Sequence, residues 1–276
     1  MSPFDLHAHS TVSDGTLTPA QLVARAAARG LDVLALTDHD DIGGVAEAQR
    51  AAEGTCTRVV PGVEISVSWG SRTVHILGLG IDAACAPLVA GLQAIRDGRD
   101  ARAVRIGTAL AKAGVRGAYE GARRHASSDR SISRTHFARY LVESGRARSA
   151  QDAFKRFLKE GRPGYVPHAW ASLSDAVSWI HAAGGHAIVA HPARYGLTAT
   201  GLRRLLGEFK DLGGDGLEVF SASHTLADIE DCARCARVFD LLASTGSDFH
   251  DPEESPLELG ALPPLPAGVV PVWSRW

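Results

Sequence analysis

Nine side chains in this sequence are of the types that hold metal ions, and their spacing suggests that they act together. His7 and His9 close a short apolar run from Pro3 to His9. On a strand an i, i+2 pair faces one side, so both imidazoles can reach one ion without bending the backbone. Asp14 follows in an Asp-Gly turn, from which a carboxylate can swing back over the strand end. His39 ends a second apolar run, inside Thr37-Asp38-His39-Asp40-Asp41, and Glu64 and His75 lie on the third and fourth runs. His191-Pro192 ends the fifth, and the last ends in Ser247-Asp248-Phe249-His250, again an i, i+2 pair. Imidazole mixed with carboxylate suits Zn, Mn or Fe, and no thiolate set marks a structural zinc site. A single His at a strand end is ordinarily a surface or hydrogen-bonded residue. Nine such groups placed alike would bury unpaired charge unless they were coordinated. The expectation is a multinuclear metal centre.

Convergence of that kind needs a frame that gathers many strand ends. Short apolar runs alternate here with helical stretches, which favours a parallel α/β architecture. Strands are expected at Pro3 to His9, Asp32 to Thr37, Arg58 to Ile65, Thr73 to Leu79, His186 to Ala190, Gly216 to Phe220 and Leu241 to Ser247. Thr18-Pro19 starts a helix that Gly30 stops, and Ser172 with Asp175 caps another that ends at Gly184-Gly185. Further helices fit Ile42 to Ala52, Leu202 to Leu212 and Thr225 to Phe239. From about Cys85 to Gly161 the chain is rich in Ala and Arg, with helical periodicity and no strand, so three or four inserted helices are expected. Pro163, Gly164 and Pro167 mark the return. Seven strands with intervening helices suggest a barrel or a strongly curled parallel sheet, and the carboxyl ends of barrel strands are where active sites form.

The bulk numbers exclude some classes. A chain of 276 residues, 45% hydrophobic, buries an ample core. Net charge is −2, so no basic excess advertises a groove for long duplex nucleic acid. Without an apolar run of about 18 residues no membrane helix is expected, and without a secretory signal a cytoplasmic address is the default. Cys56, Cys85, Cys232 and Cys235 read as free thiols, because Cys232-Ala-Arg-Cys235 lacks a second pair and sits in a helical segment.

The segments Asp5-Leu6-His7-Ala8-His9-Ser10, Ser13-Asp14-Gly15, Ala35 to Asp40, Pro61 to Glu64, His75 to Gly78, Ala190-His191-Pro192 and Gly246 to His250 resemble, in order, the motifs of the PHP (polymerase and histidinol phosphatase) superfamily. That resemblance implies an α/β fold, a distorted seven-stranded (β/α) barrel. The barrel would comprise residues 1–84 and 169–276, with a helical insertion at 85–168. It implies three divalent ions, Mn2+ foremost with Fe2+ or Zn2+ as alternatives. His7, His9, Glu64 and Asp248 would hold one; Glu64, His75 and His191 the second; Asp14, His39 and His250 the third. Within the superfamily, Ser133 to Arg139, Ala153-Phe154 and Gly161 to Pro167 resemble the insertion of stand-alone bacterial nucleoside bisphosphate phosphatases and 5′-to-3′ exoribonucleases. Thr135 stands where that group usually has proline.

The chemistry so implied is attack on phosphorus by a hydroxide bridging the ions that share Glu64. Asp14, His39, Glu64, His191 and Asp248 form the catalytic set, and Arg134 and His136 bind phosphate oxygens. His136 or a water would protonate the leaving oxygen. The expected substrate is a small nucleotide or a short oligonucleotide. Alternatives are histidinol-phosphate hydrolysis, against which the Arg-rich insertion tells, and a non-catalytic binding domain, against which the full ligand set tells. Among Asp38, Asp40 and Asp41, one is expected to orient an imidazole and the others to be solvated. Glu218 either lines the barrel mouth or faces solvent.

Overall fold

The computed structural model describes residues 3–126 and 132–276. Seven strands form one sheet in sequence order: β1 (Phe4–Ala8), β2 (Val33–Leu36), β3 (Arg58–Trp69), β4 (Arg72–Leu79), β5 (His186–Val189), β6 (Gly216–Ser221) and β7 (Leu242–Gly246). The sheet nearly closes on itself. Beyond the ends of β1 and β7, Ala8 bridges Phe249, and the Asp248 N–H donates to the His7 carbonyl at 2.9 Å. A barrel therefore forms, but its strands are not all parallel. β3 and β4 pair antiparallel, as do β4 and β5, while the other neighbours are parallel. The reason is local: only Gly70 and Ser71 separate β3 from β4, and Gly70 takes φ +57°, so the chain turns back as a hairpin instead of crossing over.

The barrel interior is apolar. Leu6, Val33, Val60, Leu77 and Ile188, from five different strands, pack together, and Val272 plugs the far end. Outside, α1 (Pro19–Ala28) and α2 (Val45–Ala52) cover β1 and β2, while α7 (Leu173–Ala182), α8 (Ala199–Asp211) and α9 (Leu226–Val238) cover the other side. Thr18 closes a capping box with Gln21 ahead of Pro19, as its sequence position suggests. All four cysteines are free.

Between β4 and α7 the described residues are helical: α3 (Ala86–Lys112), α4 (Ala118–Arg124), α5 (Arg134–Glu143), and α6 (Ala150–Ala153) running into a wider turn at Phe154–Leu158. They carry a separate core, with Ile106, Leu110, Phe137, Leu141 and Leu158 at its centre. Helix α3 belongs to both cores. Leu88, Leu92 and Ile95, in its first half, pack with α7 and the barrel strands. Gly91 permits this, because a Cβ there would lie 2.5 Å from the Trp179 ring. Ala103, Ile106 and Leu110, in its second half, join the other core.

Candidate metal centre

The mouth of the barrel collects all nine expected ligands. His7 and His9 leave the end of β1 with their Nε2 atoms 3.1 Å apart. Both face the Glu64 Oε2 at 3.3 Å, and Asp248 Oδ1 lies 3.5 Å from His7 and 3.3 Å from His9. Glu64 stands mid-strand, because β3 runs on past the mouth to its hairpin. His75 lies in the first half of β4 for the same reason: that strand runs downward, so the mouth meets its start. His75 Nδ1 and His191 Nε2 converge on Glu64 Oε1 at 2.7 and 2.8 Å, while His39 Nδ1 is 2.9 Å from Oε2. Asp14 Oδ1 lies 3.3 Å from His250 and 3.9 Å from His39. Three overlapping groups have ligand atoms within 4.8 Å of one another: His7, His9, Glu64 and Asp248; His39, Glu64 and His75; and His9, Asp14, His39 and His250.

The electrostatics are those of a charged cluster out of water. Burial alone would raise the carboxyl pKa values of Asp14, Glu64 and Asp248, but the surrounding imidazoles outweigh it and hold all three well below the usual range. Burial and Arg194 push His191 down to about 4, whereas His9 is held up at about 9 against burial by Asp248 and Glu64. Asp14 Oδ1, His39 Nδ1, Glu64 Oε2 and His191 Nδ1 are buried without a hydrogen-bond partner. His39 Nδ1 and Glu64 Oε2 are close, but misaligned for a bond. Four unsatisfied ligand-type atoms in one pocket are costly unless something coordinates them, so this donor set fits divalent cations.

A second layer of contacts fixes the donors. Glu218, fully buried, accepts from His7 Nδ1 at 2.8 Å and from the His191 N–H at 2.5 Å. It neither faces solvent nor lines the mouth; it holds two histidines at once, leaving His7 Nε2 free for the cluster. His191 sits at φ +26° and Asp248 at φ +53°, conformations costing about 1–3 kcal/mol each that surrounding bonds must maintain. Asp38 and Asp40 are buried as well, and neither bonds an imidazole. Asp38 clamps the loop after β1 by accepting from the Ser10 hydroxyl and the Ser13 hydroxyl, both at 2.6 Å. Asp40 pairs with Arg99 of α3 and accepts from the Ser66 N–H at 2.6 Å. Asp41 caps its own turn by accepting from the Gly43 N–H.

The helical segment reaches into this mouth. Ser133, the N-cap of α5, donates to Asp14 Oδ2 at 2.9 Å, and Arg139 donates to the Asp14 carbonyl at 2.8 Å. The Thr135 N–H donates to Ser133 Oγ at 3.1 Å, a bond that proline at this position could not make. His136 is buried beneath the cap and accepts from the Ser133 N–H through Nδ1; burial pushes it down to about 4. It does not line the cleft, whereas Arg134 does. Arg99, Arg102, Arg194 and Trp170 line it too, and none was singled out from the sequence. Three of the four sit on helices or turns whose arginines look like a solvated face. Arg194 pairs with Asp248 at 2.5 Å, half exposed.

A nearly closed barrel with histidines and carboxylates packed at its mouth defines a metal-dependent hydrolase class, and comparison with known proteins narrows the class. Residues 5–90 match the PHP domain. The chain is 50% identical to a 3′,5′-nucleoside bisphosphate phosphatase of Chromobacterium violaceum, over 99% of its own length and 96% of that protein's. It is 45% identical to a 5′-3′ exoribonuclease of Haemophilus influenzae, over 99% of this chain and 98% of the other. A solved structure described as an amidohydrolase from Chromobacterium violaceum, with bound sulfate and no metal, superposes with TM-score 0.95 at 50% identity, covering 98% of this chain and 94% of that one. A second, from Bifidobacterium adolescentis and provisionally named a metal-dependent phosphoesterase, gives TM-score 0.83 at 26% identity, covering 98% and 93%. The chain belongs to the PHP family.

Proposed function

We propose that this protein is a divalent-metal-dependent phosphoesterase acting on nucleotides. Its substrates would be 3′,5′-nucleoside bisphosphates, the 5′ ends of short RNA, or both. The observation that carries the reading is the buried, unsatisfied ligand cluster opening onto an arginine-lined cleft. Relatives that span nearly the whole chain are named for these two activities, which supports it. His7, His9, Glu64 and Asp248 would hold one ion, Glu64, His75 and His191 a second, and Asp14, His39 and His250 a third, with Mn2+ the first ion to test. When bound, divalent ions supply an activated water and neutralise phosphoryl charge. The chain's own residues do the rest. Glu64 offers one oxygen to His75 and His191 and the other to His7, His9 and His39. Arg134 and Arg194 bring planar donor forks to phosphate oxygens. His136, neutral and buried, supports Ser133 and so holds Asp14 in place. No helix of the described residues is long and apolar enough to cross a membrane, and a cytoplasmic site of action accords with these substrates.

Phosphate release from adenosine 3′,5′-bisphosphate, with Mn2+ and with EDTA, tests the reading, with histidinol phosphate and a short 5′-phosphorylated RNA in parallel. Mn2+-dependent turnover of the nucleotide or the RNA is expected. Turnover of histidinol phosphate alone would overturn it.

A further inference from the structure

We propose that a groove beside the candidate metal centre, walled by Phe154, Ala222, Ser223 and Ser255, receives the nucleoside that follows the scissile phosphate, so that one site cuts the same bond in a 3′,5′-bisphosphate and at the 5′ end of RNA. The proposal rests on the nucleotide reading above and deepens it. The cleft over the ligand cluster has a volume of about 130 Å³ and opens two ways. Thr73, Arg102, Arg134 and Trp170 lead from it into a basic chamber. Thr135, Phe154, Arg194 and His250 lead from it into the groove, which has a volume of about 370 Å³ and no wall residue in common with the chamber. The groove falls within the roughly 300–1,000 Å³ of small-molecule sites.

The lining identifies the occupant. Among the described residues Arg194 is the one Lys or Arg on the groove wall, and Asp248 already neutralises it. Glu254 adds a negative charge at the exposed rim. A phosphate would gain little inside, whereas an uncharged sugar and base fit. Phe154, Ala222 and Pro256 offer apolar surface against which a base can stack, and Ser223 and Ser255 offer hydroxyls. Ser255 is set up as a donor. Its oxygen accepts from the His250 N–H at 2.8 Å and the Asp251 N–H at 2.9 Å, which uses both lone pairs. Its proton has no acceptor among the described residues and is free for a ribose or base oxygen. Arg148 and Lys155, exposed on the chain around Ala150 and Phe154, stand ready for the phosphates that follow.

The chemistry explains why an open side matters. In a bisphosphate, the phosphorus on the 3′ oxygen carries three unesterified oxygens; in RNA, one of them bears the next nucleoside. A closed pocket would exclude that substituent, and the groove admits it. The same bond then breaks in both substrates. The oxygen of a water bonds to phosphorus, and the bond from phosphorus to the 3′ oxygen breaks. Its electron pair leaves with the 3′ oxygen, which takes up one proton of the water while the other goes to solvent. A nucleoside 5′-monophosphate departs. The phosphate stays on the downstream strand, whose new 5′ end is a substrate again.

The test compares adenosine 3′,5′-bisphosphate with a 5′-phosphorylated adenylyl-uridine dinucleotide. Wild type with Mn2+ is expected to hydrolyse both and to yield adenosine 5′-monophosphate and uridine 5′-monophosphate from the dinucleotide. Release of uridine instead, or turnover of the bisphosphate alone, would overturn the proposal. Ser223→Trp fills the groove from the exposed turn after β6. It should lower kcat/KM on the dinucleotide, relative to that on the bisphosphate, by about tenfold or more. An unchanged ratio would count against the groove. A second arm reads binding without turnover. On the EDTA-treated full chain, 2-aminopurine as the second base of a 5′-phosphorylated dinucleotide should change its fluorescence on binding, and Ser223→Trp should abolish the change. A silent second base, with 2-aminopurine at the first position responding, would refute the proposal. If the second base responds but neither substrate is hydrolysed, the functional reading fails and the groove stands.

Discussion

The barrel and the helical segment meet at one cleft but are built on opposite charge. Residues 85–168 hold 17 of the 29 Lys and Arg residues and 7 of the 31 Asp and Glu residues. A net charge of −2 thus conceals a strongly basic part joined to a strongly acidic one. In the barrel, the ligand side chains gather at the mouth and several are fixed by further bonds, His7 and His191 through Glu218 and Asp14 through Ser133. In the helices, Arg102 and Arg134 are held by stacking and one carbonyl bond, with no matching acid among the described residues. The contrast suggests a division of labour, with cations gathered by a rigid acidic rim and substrate charge met by a looser basic one.

If that division is right, the largest effects come from the rim. His191→Ala or Asp248→Ala should reduce turnover to the detection floor, with secondary structure by circular dichroism unchanged; near-normal activity would dissolve the proposed centre. Glu218→Gln should be next. Glutamine has one acceptor, but His7 Nδ1 and the His191 N–H both donate, so one bond is lost or His7 moves its proton to Nε2. Metal affinity should fall about 10–100-fold, read as bound Mn2+ per chain after dialysis, while the EDTA-treated variant melts within a few degrees of wild type. The basic side is expected to act in a graded, salt-dependent way. Between 50 and 200 mM salt, KM for a short 5′-phosphorylated RNA should rise roughly twentyfold more than KM for the bisphosphate, if about three extra phosphates are contacted. Equal salt slopes would mean that the helices touch only the first nucleotide. Cys235→Ser should be smallest, within about 0.5 kcal/mol in a denaturant melt.

The rim was legible in the sequence because its chemistry follows backbone period. His7 with His9, and Asp248 with His250, announce themselves by alternation, and strand boundaries follow from apolar runs and Gly or Pro punctuation. The direction of β4 was not legible from the α/β rhythm, although Gly70-Ser71 carried the hairpin signal. Asp38 and Asp40 were misread as solvated or imidazole-orienting, since an acid in a polar string gives no sign of the serines or the arginine that will surround it. Glu218 was ambiguous for the same reason: its partners lie 211 and 27 residues away. Arg99 and Arg102 escaped because a helical arginine is usually solvated, and only the packing of α3 buries them.

Helix α3 also limits how this protein can be taken apart. A cut at residue 85, where the composition changes, would remove Leu88, Leu92 and Ile95 from the barrel's own core and leave Asp40 without Arg99. Orphaning such a buried charge costs about 3–5 kcal/mol, a large share of an ordinary domain's stability. Grafting a relative's helices onto this barrel would therefore have to join the two sequences inside α3, downstream of Arg99, and supply its own answer to Arg102.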